Sequence, residues 1–133
     1  MPKLTIDELF LEAEQLRTEI QRLDDLNNAV LKKLLEDNNP NNDRVALDNH
    51  SRIFNQIQMI RTVRNDFEID LVRAKVKEIT IPDDSPGTQI KNTTKKLMDA
   101  VNEINNVKKV LNTIANVINT INSIIGILAS LAV

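Results

Sequence analysis

The chain has 133 residues, enough for one compact unit with its own core, and 41% of them are hydrophobic although the only aromatics are Phe10, Phe54 and Phe67. It contains no cysteine, which excludes disulfides, thiolate metal sites and a cysteine nucleophile. The net charge of −2 is unevenly placed: residues 1–84 carry 12 Lys and Arg against 17 Asp and Glu, a net of −5, and residues 85–133 carry 5 against 2, a net of +3.

The acidic and basic parts attract one another, within a molecule or between molecules. No basic face interleaved with stacking aromatics is evident, so nucleic acid is not an expected partner. Two glycines and four prolines, nearly all outside the periodic segments, point to an all-α chain. The opening MPKLTIDELF has no apolar h-region, and Pro2 stands where myristoylation needs Gly. Neither a secretory signal nor a lipid anchor is expected there, and localisation stays unassigned.

The first helix is predicted over about 5–37. Thr5-Ile6-Asp7-Glu8 reads as a capping box, with Leu4 and Leu9 placed as its hydrophobic staple. Asp7 and Glu8 also suit the positive end of the helix dipole. Ile6, Ala13, Ile20, Asn27 and Leu34 then hold one heptad position, and Leu9, Leu16, Leu23 and Val30 hold the other. Four heptads of 3–4 spacing predict coiled-coil-like packing. Asn27, the one polar seam residue, reads as an amide that finds an ordinary partner rather than as a register device.

Asp37-Asn38-Asn39-Pro40-Asn41-Asn42-Asp43 is turn chemistry, and so short a connection makes its flanking helices antiparallel neighbours. The second helix is predicted over about 43–79. Its seam is Ala46, His50, Ile53, Ile57, Ile60, Arg64, Phe67, Leu71 and Ala74, widened by Leu47, Phe54 and Val63. Folding about Pro40 sets Phe67 opposite Ala13 and Ala46 opposite Leu34, large against small. Arg64 is expected opposite Leu16, its stem buried and its guanidinium reaching Glu12 and Glu19. No nucleophile or second cation is evident beside it, so the sequence supports no ligand-binding role. His50, the sole histidine, reads as a half-buried packing residue.

Residues 80–87 form a turn around Pro82 and Ser85-Pro86-Gly87, after which Thr88 is a candidate N-cap. The third helix is predicted over about 88–132. Leu97, Val101, Ile104, Val107, Leu111, Ile114, Ile118, Ile121, Ile125, Leu128 and Ala132 make one row, and Val110, Val117, Ile124 and Leu131 a second beside it. Val110 to Val133 carries no charge; Asn112, Asn116, Asn119, Asn122 and Ser123 supply its polar side. A straight helix of this length spans about 65–70 Å against about 50–55 Å for a hairpin arm, leaving an overhang. A break at Gly126 would instead fold the tip back.

Ferritin-like Glu-x-x-His pairs, zinc ligand sets, a Gly-rich phosphate loop and a second histidine for a serine relay are all missing from the sequence. These features predict a non-enzymatic protein with no cofactor, metal or small-molecule substrate. The segment Leu34 to Ile79, a helix, an NNPNN turn and a polar-aliphatic helix, resembles the hairpin of type III secretion needle subunits. Those subunits are two-helix hairpins, and the long third helix departs from that pattern.

The reading is a three-helix bundle: an antiparallel hairpin with a third long helix in its groove. The expected function is self-association or docking of a protein partner through Val117, Ile121, Ile124, Ile125, Ile127, Leu128 and Leu131. The alternative is a membrane-active, pore-forming or toxin-like component that uses Val110–Val133, with Lys91, Lys95, Lys96, Lys108 and Lys109 available to anionic headgroups.

Overall fold

A computed structural model of the chain describes residues 3–36, 40–73, 78–80 and 86–131. Two short strands, Lys3–Thr5 (β1) and Glu78–Thr80 (β2), accompany four helices: Ile6–Glu36 (α1), Pro40–Arg73 (α2), Pro86–Asn102 (α3) and Val107–Leu131 (α4). The class is all-α, and the helices pack together as a bundle of four rather than three.

α1 starts where the capping box places it. The Glu8 amide donates to Thr5 Oγ1 at 3.2 Å, and the Thr5 amide donates to Glu8 Oε1 at 3.4 Å. Every heptad residue from Leu9 to Leu34 is buried, Asn27 included. Each fully buried Leu or Ile stabilises the fold by roughly 1.5–3 kcal/mol, so the tertiary seam holds α1 more firmly than intrinsic propensity does.

Asp37 to Asn39 lie outside the described residues, and helix resumes at Pro40 rather than near Asp43. Proline suits this first helical position, because its missing N–H is one that no helix start satisfies internally. The expected hairpin register is present: Asn27 with His50, Gln21 with Arg61 and Arg17 with Glu68 bracket the anticipated pairing. Phe67 and Ala13 are both buried, while Phe54 and Val63 stay largely exposed at the edges of the stripe.

The second helix was expected to reach Ile79, but Ile79 lies in β2; α2 is described over Pro40–Arg73, and the expected seam residue Ala74 lies outside the described residues. There it pairs antiparallel with β1: Lys3 stands opposite Thr80, Leu4 opposite Ile79 and Thr5 opposite Glu78. β-Branched Ile79 and Thr80 favour extended backbone, and Pro82 disfavours helix at Ile81. The pairing sets Leu4 against the core.

The third helix was expected to run unbroken from Thr88 to Ala132. It starts two residues earlier, at Pro86, and is interrupted at Glu103–Asn106. The Glu103 amide bonds to the Ala100 carbonyl at 3.0 Å and the Asn106 amide to the Glu103 carbonyl at 2.8 Å, tight turns that end α3. Asn106 caps the new helix, its Oδ1 accepting from the Lys109 amide at 3.2 Å. Lys109 Nζ reaches back to Glu103 Oε1 at 2.9 Å.

Laid end to end, α3 and α4 would outrun α1 and expose the last turns of α4. Ile124, Ile125 and Leu128 are instead at most 2% exposed, so α4 turns back. It packs against α3, α2 and α1, and α3 also packs against α1. The molecule is two helical hairpins laid face to face, with the apolar stripe of α4 between them.

Candidate functional site

α4 concentrates the apolar residues of the chain. Val110, Leu111, Ile114, Val117, Ile118, Ile121, Ile124, Ile125 and Leu128 are all buried. Of the residues expected to mediate association, Val117, Ile121, Ile124, Ile125 and Leu128 belong to this core, and Ile127 is half-buried. Leu131 closes α4, and its side chain lies outside the described residues. The expected overhang is absent because the chain reverses at Glu103–Asn106, not at Gly126.

The opposite side of α4 faces outward. Asn112, Asn116, Asn119, Asn122, Ser123 and Gly126 are exposed. A Cβ at Gly126 would meet nothing within 4 Å. Thr113, Thr120 and Ser123 donate their hydroxyls to the helix's own backbone, to carbonyls one turn earlier at 3.0, 3.1 and 3.1 Å. From Val110 onward the outer face therefore carries amides and small side chains but no ion. The outer faces of α1 and α2, by contrast, carry Glu14, Arg17, Arg22, Asp25, Arg52, Asp66 and Asp70. By length and composition, Val107–Ala129 also suffices to cross a membrane, a test that the core helix of a soluble protein passes too.

The remaining candidates are buried polar groups in the hairpin. Asn27 Nδ2 donates to the His50 carbonyl at 3.4 Å, while Asn27 Oδ1 and His50 Nε2 have no partner among the described residues. Burial pushes the His50 imidazole below its ordinary value, against the opposing pull of a hydrogen bond with the Asn27 backbone and of the Asp24 charge. Burial pushes the Glu12 carboxyl up, and Glu8 adds to that.

Arg64 does not reach Glu12 or Glu19. It bonds along its own helix, to Glu68 Oε1 at 2.7 Å and to Asn65, while Glu19 pairs with Arg22 at 2.7 Å. An i,i+4 carboxylate is closer than one across the hairpin and demands less extension of the side chain. Among the described residues, no group of three or more His, Cys, Asp or Glu is arranged to hold a metal ion. Comparison of the chain with protein-family models, with curated proteins and with solved structures finds no match in any of the three.

Proposed function

We propose that this is a non-enzymatic helical protein that self-associates through the outer face of α4. The observation that carries the reading is the uncharged surface of Asn112, Asn116, Asn119 and Ser123 in a molecule whose other outer faces are ionic. Covering it desolvates amides rather than ions. An asparagine amide both donates and accepts, so the same stripe on a second copy is its complement, as a two-fold interface requires. Met59 and Val63 are exposed on the side of α2 away from Arg61 and its α1 partners, and supply apolar contacts at the edge.

Sedimentation velocity over a hundredfold range of concentration tests this. A dimer or larger species is expected, and Asn116→Lys with Asn119→Lys should return it to monomer without altering the far-ultraviolet helix signal. A parent chain that stays monomeric throughout would sink the reading.

A second reading is favoured by the apolar length of Val107–Ala129. In it, the α3–α4 hairpin leaves the bundle at an anionic membrane, with Lys91, Lys95, Lys96 and Lys108 meeting headgroups. Leakage of anionic liposomes, without leakage of neutral ones, would favour this reading over the first.

A further inference from the structure

Arg17 on α1 and Arg61 and Arg64 on α2 converge on a cleft of roughly 130 Å³ between the two helices. Gln21 and Asn65 complete its walls, and Ile20, almost wholly buried, supplies an apolar lining. Among the described residues, no carboxylate lines it. Arg61 stands one helical turn before Arg64 on α2, and the hairpin register adds Arg17 by bringing 17–21 across from 61–65.

Carboxylates hold the three arginines from outside the cleft. Glu68 accepts from Arg64 Nη1 at 2.7 Å and from Arg17 Nη2 at 3.1 Å. Asp24 Oδ2 accepts from Arg61 Nη2 at 3.0 Å, and Glu14 Oε2 stands 3.8 Å from Arg17 Nε. The amide oxygens of Gln21 and Asn65 are taken up by Arg61 and Arg64. Each guanidinium carries about five N–H donors, and these contacts engage one or two nitrogens of each. The cleft is thus rich in spare donors, and its two amide oxygens already accept from arginine.

The Arg64 side chain is 5% exposed, so its guanidinium is fixed and poorly hydrated, while Arg17 at 53% and Arg61 at 31% leave a way in. A liquid water occupies about 30 Å³, so the cleft holds a few waters or one tetrahedral oxyanion. Planar guanidinium forks match the oxygens of such an anion in pairs. We propose that this cleft binds a phosphate-class oxyanion, met either as the free ion or as the phosphate of a lipid headgroup.

Titration of the full chain with sodium phosphate, against sodium chloride at matched ionic strength, tests the site by NMR of amide and arginine Nε–H groups. Saturable shifts centred on Ile20, Arg61 and Arg64 are expected with phosphate alone. Arg61→Gln should weaken phosphate binding about tenfold or more, as loss of a charge-assisted contact does. Arg17→Gln, at a more exposed position, should weaken it as well, so a fold disturbed in one variant does not decide the matter. Arg52→Gln, outside the cleft, should leave affinity unchanged. Co-sedimentation with phosphatidic acid vesicles that inorganic phosphate competes away, and that Arg61→Gln abolishes, assigns the lipid source. Saturable phosphate binding without vesicle retention assigns the free ion. Equal responses to phosphate and chloride, or phosphate binding undiminished in both cleft variants, overturns the proposal.

Discussion

Two titratable groups placed within or beside the hairpin seam make stability depend on pH in opposite senses. His50 is buried and held below its ordinary value by desolvation. The unfolded chain therefore takes up the proton first. The contribution of His50 is complete above its unfolded value of ~6.5 and is lost as pH falls through the lower folded value. Glu12 is held above its ordinary value by burial and by Glu8. Its neutral form is the one the fold prefers, so its contribution is present at acid pH and lost as pH rises through the raised folded value. Thermal midpoints between pH 5 and 7 should fall on the acid side in the parent, and fall less in His50→Leu. Glu12→Gln should raise the midpoint at pH 7 and change it little at pH 4. An acid limb identical in parent and His50→Leu would show that another group controls it. Both positions were legible in the sequence as seam or near-seam residues. Their unpaired atoms were not, because partners depend on rotamers and on the neighbouring helix.

At the scale of elements, the heptad of α1 could be read directly, since Ile20, Leu23, Val30 and Leu34 keep their spacing and all are buried. The break between α3 and α4 escaped the same reasoning. Leu97, Val101, Ile104, Val107 and Leu111 maintain 3–4 spacing across it, because a four-residue turn leaves the phase nearly unchanged. Asn102, Asn105 and Asn106 were the visible signal, each only about 0.7 kcal/mol poorer than alanine in a helix. Energetics settle the choice. Folding back buries Ile124, Ile125 and Leu128 at roughly 1.5–3 kcal/mol each, against a few interrupted hydrogen bonds worth about 1 kcal/mol apiece, one offset by the Asn106 cap. Asn106→Ala alone should lower stability by about 1 kcal/mol in denaturant titration. Asn105→Ala with Asn106→Ala makes the straight helix locally better, and a straight helix can bury its tip only in a second copy. On the Asn116→Lys, Asn119→Lys background, which removes association through the outer face of α4, that variant should populate a domain-swapped dimer resolvable by size exclusion; a purely monomeric one would show that the reversal does not depend on the asparagines. The short strands were missed for a simpler reason: three residues are too few for alternation to be told from a helix end.

For the molecule as a whole, composition announced an apolar helix in need of cover, and the direction of the chain after Asn102 decided what covers it. The uncharged run of α4 was therefore legible, while its inner and outer faces separate only once α1, α2 and α3 are in place around it. The arginine cleft was hidden for a related reason, since Arg17 and Arg64 become neighbours only through the hairpin register. If α4 completes the core, its inward residues should act on folding before they act on association. Leu128→Ala should destabilise the chain by about 2–5 kcal/mol while leaving the oligomeric state seen by sedimentation velocity as it is in the parent. Removal of residues after Lys109 should go further. The seams of α1 and α2 would lose α4, which packs against both of them, and the hairpin should lose most of its cooperative helix signal instead of remaining a soluble two-helix rod. Circular dichroism during thermal unfolding checks this directly. A truncated chain that melts cooperatively near the parent midpoint would mean that the hairpin suffices as the folding unit, with α4 an accessory laid against it.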